Sequence, residues 1–468
     1  MLLAAAGLLA ACQTRLPPLP AAELRSSAPL GTDALAAADT PARDWPAQRW
    51  WQRFGDPTLD ALVERALRLS PTLGAAAARQ ARARAALQLQ AAASGVSIDA
   101  HAQQQRQRIS DNGLFPPEFL GFNWYSMSDL GLDIDYRPDF WHRQSEALRA
   151  AGASAQAAQS EQAQLRVAVA AQVTQLYYAV RADLLSRELA AQSAALAGRQ
   201  RDLAAARQAA ELGSGDEVRR LNLQLLEAQD TVGLQQSNLE LHRSALAVLL
   251  DETPAQLPPM TAAPPPAPPL ELPADASLAL VARRGDLSAA RWRVESSHAS
   301  AAVARKGYLP DLSLRAMLGL SSRELGKLLS AGSEAPVFTL AMSLPLYDAG
   351  ARRARFGIAR AELDAAVADY NAMLLTAARE VNDALALRTA AVIKLRNAAA
   401  AVDEATELRA NADRQLQRGL TDARPLLAAE QQLLGQRAGQ LQTQRQLIDA
   451  DLALIRALGG GYEEAHRE

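Results

Sequence analysis

Residues Gln144 to Leu212 read QSEALRAAGASAQAAQSEQAQLRVAVAAQVTQLYYAVRADLLSRELAAQSAALAGRQRDLAAARQAAEL, a stretch without a single proline. Ala349 to Arg418 form a second such stretch, which is also rich in Ala, Leu and Arg. With a rise of about 1.5 Å per residue, each would make an α-helix about 100 Å long, several times the usual length. We therefore predict two very long helices that pack against other helices rather than inside a compact core.

The composition favours helix-to-helix packing over a large globular core. Hydrophobic residues make up 49% of the chain and aromatic residues only 4%, so most apolar side chains are small or aliphatic. The formal net charge is −2, which gives no sign of a basic surface for nucleic acid. A nucleic-acid partner is therefore not expected.

Shorter helices are predicted beside the two long ones. In the first half they run from Leu59 to Leu69, from Thr72 to Ala93 and from Asp216 to Leu250, and in the second half from Asp286 to Lys306 and from Asp422 to Leu458. Two of these helices carry apolar residues seven positions apart, the spacing of a coiled-coil seam: Leu225, Val232, Leu239 and Leu246 in one, and Leu427, Leu434, Leu441, Ile448 and Ile455 in the other.

Each long stretch ends in a predicted reversal of the chain. Gly213-Ser214-Gly215 supplies two glycines for a sharp turn, and Asp216 directly after it can cap the returning helix. Gly419-Leu420-Thr421-Asp422 marks the second reversal. Two shorter helices placed end to end could then flank most of one long helix in each half.

Four segments alternate apolar and polar residues with the period of a β-strand. In the strongest, Phe122 to Arg137, even-numbered positions are largely apolar and odd-numbered positions largely polar; the others are Val96 to Gln103, Leu312 to Ser321 and Phe338 to Leu346. Each has about the length of a tilted strand crossing a bilayer, although soluble sheets alternate in the same way. Because four strands cannot close a barrel and lipid does not tolerate an open edge, a membrane sheet of this kind must be shared between chains.

The first residues have the pattern of a bacterial lipoprotein signal. A short apolar run ends in Leu9-Ala10-Ala11, and Cys12, the one cysteine of the chain, follows directly. The run is too short for a membrane span and resembles a lipobox, after which the cysteine receives lipid. By the same resemblance, Gln13 after the cysteine points to the outer membrane. The alternative is an ordinary signal peptide with a chance cysteine.

The same order of predicted elements occurs twice, which indicates an internal duplication. The predicted organisation is a lipoprotein signal peptide over 1–11, a lipid anchor and extended tether over 12–43, a first structural repeat over 44–253, a proline-rich linker over 254–276, a second structural repeat over 277–458 and a C-terminal tail over 459–468.

Several motifs occur in a specific order along the chain. They are Trp50-Trp51, Phe54-Gly55-Asp56-Pro57, Tyr136 to Arg143 with Asp139 and Trp141, Pro345 to Arg352, Arg379 to Leu385 and Gly419 to Asp422. With these motifs the chain resembles the outer-membrane efflux protein family, the TolC-like channels, and in particular its OprM-like lipoprotein members. His142 stands where the family usually has a glycine, and Ala428 where it usually has a gate aspartate.

The resemblance implies a mainly α fold with a small β part. Three chains would form an α-helical barrel joined to a shared 12-stranded outer-membrane β-barrel, to which each chain contributes four strands. It further implies a homotrimer that lies in outer-membrane lipid, extends into the periplasm and works with a periplasmic adaptor protein and an inner-membrane pump. The expected function is a passive conduit for small toxic molecules.

A conduit of this kind needs a closed end, and both helix reversals would lie at the same periplasmic tip. Three chains would repeat each charge as a ring, which could hold the tip shut or select ions. The alternative is that the aspartates are helix caps and the arginines solvated surface. The candidate gate residues are Asp216, Glu217, Arg219, Arg220, Asp422, Arg424 and Glu430.

No catalytic, cofactor or metal site is expected. The five histidines are scattered, and neither a metal-ligand spacing nor a phosphate-binding glycine loop is evident. We therefore expect a channel and not an enzyme. Two other functions stay open: a periplasmic coiled-coil adaptor without a pore, and a conduit for protein secretion.

Overall fold

The computed structural model describes residues 17–19, 23–26, 45–112, 117–266 and 283–462. Cys12, the predicted signal peptide, most of the tether, the end of the proline-rich linker and most of the C-terminal tail lie outside the described residues. The described chain is mainly helical, with one four-stranded sheet. This confirms the predicted mainly α fold with a small β part.

The predicted elements are present with small shifts at their ends. In the first half they are α1 (Pro57–Leu69), α2 (Pro71–Ala93), β1 (Ser97–Arg108), β2 (Trp124–Tyr136), α3 (Arg143–Ala209) and α4 (Gly215–Leu249). In the second half they are α5 (Gly285–Lys306), β3 (Asp311–Ser322), β4 (Val337–Ser343), α6 (Ala351–Gln417) and α7 (Arg424–Ala457). Short helical turns lie at Trp50–Phe54, Pro117–Leu120, Pro254–Gln256 and Leu325–Lys327.

The two long helices, α3 and α6, contain 67 residues each, close to the 69 and 70 residues of the predicted stretches. Both halves follow the order helix, two strands, long helix, returning helix. The division into two repeats, 44–253 and 277–458, stays a prediction, and this repeated order supports it. None of the helices in the described ranges is both long and apolar enough to cross a membrane.

The described chain forms two compact units. The main segments of the first are Gln80–Ala158 and Ala290–Tyr370, which contain all four strands. The segments of the second are Arg25–Arg79, Gln159–Ala289 and Asn371–Glu468, which contain both helix reversals.

The sheet of the first unit is antiparallel throughout, with strand order β1-β2-β3-β4. The register places Ala100 opposite Leu132 and Leu132 opposite Leu318, so the apolar positions of neighbouring strands share one face. Large apolar side chains on this face, including Leu132, Leu318 and Leu340, are exposed in the single chain. In the described chain, β1 and β4 each pair on one side only, which leaves two edges open.

The opposite face of the sheet is polar and carries most of its charges. Asp99 lies directly opposite Asp133, whose Oδ2 is 2.8 Å from Nδ1 of His101. Arg315 on β3 donates to Asp135 on β2 over 2.9 Å. The sheet therefore has one apolar and one charged face, as the alternation predicted.

Hydrogen bonds accepted by the Asp139 carboxylate fix the corner between β2 and α3. Its Oδ1 accepts from the amide of Gln144 over 2.9 Å, and its Oδ2 accepts from the amide of Ser145 over 2.7 Å. His142 lies between them with a left-handed φ of 56°, a conformation that favours glycine. The corner thus keeps a glycine-like backbone although it holds a histidine.

The heptad positions of the second unit lie on the packed side of their helices. In α4, Leu239 and Leu246 are buried, and Leu225 and Val232 are partly buried. In α7 the buried members are Leu427, Leu441, Ile448 and Ile455, with Leu434 partly buried. The seven-residue pattern therefore identified the packing seams correctly.

The aromatic motif before α1 packs against the long helix α3. Trp50 and Trp51 are buried, with exposed fractions of 3% and 5%, and their rings meet edge to face with centroids 5.8 Å apart. The ring centroid of Phe54 lies 5.4 Å from that of Tyr178 on α3. Gly55 follows with a φ of 64° and turns the chain into α1.

Asp56 joins this turn to both α1 and α3. Its Oδ1 accepts from the amides of Thr58 and Leu59 over 3.1 and 3.3 Å, which caps α1. Its Oδ2 accepts from the hydroxyl of Tyr177 over 2.7 Å and from Nη1 of Arg181 over 2.6 Å. Burial, with the hydrogen bond to Asp56, raises the pKa of Tyr177 to about 12, so this hydroxyl remains a donor.

We expect Asp56→Ala to lower the free energy of unfolding by about 3 kcal/mol, because it removes a helix cap and the acceptor of two further hydrogen bonds, one from a cation. Guanidinium unfolding of the detergent-solubilised protein, followed by tryptophan fluorescence, measures this. Asp202→Ala is the control, because Asp202 is 68% exposed and, among the described residues, pairs with its neighbour Arg201 alone. Equal losses in the two variants would contradict the assigned role of Asp56.

Candidate functional site

The reversal after α3 closes with a backbone motif that the sequence did not indicate. The amide of Leu212 donates to the carbonyl oxygen of Arg207 over 2.8 Å, which forms a Schellman motif. The residue in the left-handed conformation is Glu211, with a φ of 59°. The expectation that Gly213 and Gly215 provide the sharp turn is therefore wrong, because α3 ends at Ala209, four residues before Gly213, and neither glycine has a positive φ.

The reversal after α6 is also a Schellman motif, and its left-handed residue is a glycine. The amide of Leu420 donates to the carbonyl oxygen of Gln415 over 3.0 Å, and Gly419 has a φ of 66°. A residue with a Cβ raises the free energy of the folded state by roughly 1 kcal/mol when its backbone is left-handed. Glycine, which has no Cβ, avoids this strain. The two reversals thus match in geometry and differ in strain.

Ser214, and not Asp216, caps the returning helix α4. Its Oγ accepts from the amide of Glu217 over 3.2 Å. Asp216 lies in the first turn, where its Oδ1 accepts from Nη2 of Arg219 over 2.8 Å. These two side chains are 90% and 78% exposed, so they form a local surface pair. The predicted cap is wrong because α4 begins one residue earlier, at Gly215.

Asp422 forms ion pairs with arginines near both reversals. Its Oδ2 accepts from Nε of Arg424 over 2.9 Å and from Nη1 of Arg207 over 3.3 Å. Arg207 belongs to α3, so this pair brings the two reversals side by side. The side chain of Asp422 is 43% exposed, which leaves the group partly accessible to water.

The Asp422 carboxylate also accepts a hydrogen bond from the first amide of α7. Oδ1 of Asp422 accepts from the amide of Arg424 over 3.0 Å, although Ala423 is the formal cap residue. The hydrogen bond from the Arg424 side chain holds the pKa of Asp422 below its ordinary value of 3.8, and the Asp422 carboxylate raises the pKa of Arg424. Asp422 therefore stays ionised well into the acid range.

Glu430 forms a separate group of charges between the two long helices. Its Oε2 accepts from Nη2 of Arg199 on α3 over 2.7 Å, and its Oε1 lies 3.5 Å from Nη2 of Arg409 on α6. The side chain of Glu430 is only 17% exposed. This carboxylate is thus less accessible to water than that of Asp422. Ala428, two residues earlier, is exposed.

Five of the seven predicted gate residues therefore fall into three groups, and Glu217 and Arg220 lie outside them. Asp422 and Arg424 share one network, Glu430 belongs to a second, and Asp216 pairs with Arg219 in a third. The side chain of Arg220 makes no hydrogen bond or ion pair within the described ranges. Sequence reasoning missed Arg199, Arg207 and Arg409, although all three lie within a few turns of a reversal on the long helices.

In the part of the chain that the structure describes, no group of three or more His, Cys, Asp or Glu side chains could hold a metal ion. The arrangement at the reversals consists of paired charges on helix ends. Its chemistry is the making and breaking of ion pairs.

A comparison with protein-family models decides the family. The model described as outer membrane efflux protein matches residues 62–249 and 277–460, which is most of the chain. The chain belongs to the outer membrane efflux protein family. It is an outer-membrane channel of the efflux type, as the motifs predicted.

Curated relatives agree with this assignment. The chain is 28% identical over 431 residues to the multidrug resistance outer membrane protein MdtP of Escherichia coli strain K12, which covers 90% of this chain and 87% of the relative. It is 26% identical over 436 residues to MdtQ of E. coli O157:H7, which covers 90% of this chain and 89% of the relative. Both relatives are described as multidrug resistance outer membrane proteins.

Solved structures share the fold over nearly the whole chain. The outer-membrane channel OprN is 27% identical with a TM-score of 0.83 and covers 94% of this chain and 98% of its own. The outer membrane protein VceC from Vibrio cholerae is 27% identical with a TM-score of 0.80 and covers 90% and 100%. The chain therefore has the fold of these channels, for which a trimeric barrel assembly is known.

The strain at Glu211 leads to a prediction about the end of α3. Glu211→Gly should raise the protection of the Arg207 to Leu212 amides about fivefold, because glycine removes roughly 1 kcal/mol of left-handed strain. Hydrogen–deuterium exchange measures this. Gly419→Ala is the matched control at the other reversal and should lower protection there by a similar factor. Unchanged exchange in both variants would contradict the strain argument.

Proposed function

We propose that this protein is a lipid-anchored, homotrimeric conduit that carries small toxic molecules from a periplasmic adaptor and an inner-membrane pump to the exterior. One observation carries the proposal: the four-stranded sheet has an exposed apolar face, a charged face and two open edges. Such a sheet is stable in lipid only when other copies complete it.

The helices also offer surfaces that favour assembly. Leu223, Leu234 and Leu241 on α4 are each more than half exposed in the single chain. Exposed apolar side chains along one helix are typical of a surface that another chain covers. These residues support a homotrimer in which the helices, like the strands, pack against neighbouring copies.

The names of the relatives support the proposed substrate class. MdtP and MdtQ are multidrug resistance outer membrane proteins, so small toxic molecules are the favoured cargo. A passive channel needs partners that supply energy, and the proposed partners are an inner-membrane pump and a periplasmic adaptor that bridges the two membranes. The protein-secretion alternative differs in its cargo.

Deleting the gene tests the cargo. We expect cells without the protein to retain small toxic compounds, measured as slower efflux of a fluorescent dye, and to secrete proteins at the normal rate. A complemented strain is the control. Retained unsecreted proteins together with normal dye efflux would overturn the proposal in favour of the secretion conduit.

The anchor is proposed at Cys12, which follows the lipobox-like residues Leu9-Ala10-Ala11. We expect Cys12→Ser to remove the lipid, measured as loss of incorporated palmitate, without releasing the protein from the membrane until detergent is added. The reason is that the shared barrel holds the channel in lipid independently of the acyl chains. A variant that becomes soluble without detergent would instead support the periplasmic adaptor.

The gate is proposed at the two reversals, where Arg207, Asp422 and Arg424 form one network. We expect the double variant Asp422→Asn and Arg424→Gln to raise single-channel conductance severalfold in planar bilayers, because it removes the ion pairs that hold the reversals together. The control, Asp216→Asn with Arg219→Gln, breaks an exposed local pair and should leave conductance unchanged. Equal conductance in the two double variants would leave Asp422 and Arg424 as capping and surface residues.

The same network sets the expected pH dependence of conductance. Because Arg424 lowers the pKa of Asp422, the ion pair is complete above the ordinary value of 3.8 and is lost as the pH falls through the lowered pKa. Conductance should therefore be constant between about pH 7 and pH 5 and rise only below 3.8. A rise near pH 6 would point to a histidine instead.

A further inference from the structure

A cavity of about 540 Å³ lies in the second unit, away from the reversals. It is bounded by the segment before α1, by α1 itself, by α3 and by the loop after α7. The side chains and backbone that matter for its chemistry come from Arg49, Trp50, Trp51, Leu67, Arg68, Arg166, Val167 and Gly460. The channel function proposed above makes no use of this cavity.

The rim of the cavity carries more positive than negative charge. Arg49, Arg68 and Arg166 lie on it with Glu64, the one carboxylate among its lining residues. Glu64 pairs with Arg49 over 3.4 Å. Within the described residues, Arg68 and Arg166 have neither an ion pair nor a side-chain hydrogen bond. Two guanidinium groups on the rim are thus available to a ligand.

The inner wall of the cavity is apolar and closely packed. Trp50, Trp51 and Val167 are buried, and Leu67 is partly buried. The indole N–H groups of both tryptophans are buried and have no acceptor in the described part of the chain. Buried donors without acceptors are uncommon in folded proteins and mark places where a further group can be accommodated.

Glycines bring the loop after α7 into contact with this wall. A Cβ on Gly460 would lie 2.2 Å from Cγ1 of Val167, and one on Gly461 would lie 2.3 Å from the carbonyl oxygen of Ala47. Both glycines also have positive φ values, 53° and 80°. The loop can therefore lie against α3 and the N-terminal segment only because it carries no side chains here.

We propose that this cavity binds an amphiphilic anion, a molecule with an apolar or aromatic body and one carboxylate or phosphate group. The body would lie against Trp51 and Val167, and the anionic group would accept hydrogen bonds from Arg68 and Arg166. Guanidinium groups bind planar carboxylates and phosphates with paired donors, which suits both anions. Such a ligand would join four separate segments of the second unit.

The detergent-solubilised, full-length protein allows a direct test with three iodinated probes. These are 4-iodobenzoate, 4-iodophenyl phosphate and the neutral 4-iodobenzyl alcohol. We expect anomalous scattering from soaked crystals to locate iodine beside Val167 for both anions. Calorimetry should show the neutral probe binding about tenfold more weakly, because it lacks the charge-assisted hydrogen bonds. The stronger of the two anions identifies the natural anionic group as carboxylate or phosphate.

Two kinds of variant distinguish the contribution of the arginine charges from that of the cavity's shape. Arg68→Gln with Arg166→Gln should weaken both anions about tenfold and leave the neutral probe unchanged. Ala163→Leu, at a residue that lines the cavity, should exclude all three probes. The charge-matched control, Arg79→Gln with Arg82→Gln, alters exposed arginines of α2 and should bind every probe normally. Iodine outside the cavity, or equal affinity in the two double variants, would overturn the proposal.

Discussion

The structure depends on the packing of two helices of 67 residues that no core of this chain could enclose. Helices of this length must bury a narrow stripe along their whole extent, and small side chains allow the closest approach. Many of the buried positions of α3 are alanines, among them Ala170, Ala171 and Ala182. Tyr178, one of the larger buried side chains of α3, packs against Phe54 of the aromatic motif before α1. Close helix contact thus explains both the composition and the fold.

The sequence predicted the architecture well because length and periodicity are strong signals. The ends of α3 and α6 fell within three residues of the structure, since proline-free stretches leave little choice. The strands were less accurate. β1 continues to Arg108, past the predicted end at Gln103, because its last residues are polar on both faces and carry no alternation. β4 ends at Ser343, short of the predicted Leu346, because Pro345 cannot donate to a strand partner.

The approximate positions of the two reversals were predicted, but the contacts of the charged residues there were predicted only in part. The predicted turn residues lie within a few residues of both observed turns, but the left-handed residue of the first turn is Glu211, and the cap of α4 is Ser214 in place of Asp216. The arginine partners on the long helices were not predicted, because nothing in a single sequence indicates that Arg207 faces Asp422. Contacts between distant segments depend on tertiary packing, and local pattern cannot supply them. The cavity rimmed by Arg68 and Arg166 was missed for the same reason.

The corner at Asp139 has a mechanical consequence. Its carboxylate accepts hydrogen bonds from two successive amides of α3, and His142 beside it occupies a backbone conformation with few alternatives. A bend at this point would break both hydrogen bonds at once. β2 and the first turn of α3 are therefore rigidly connected. Any bending of the long helix must occur in its later turns.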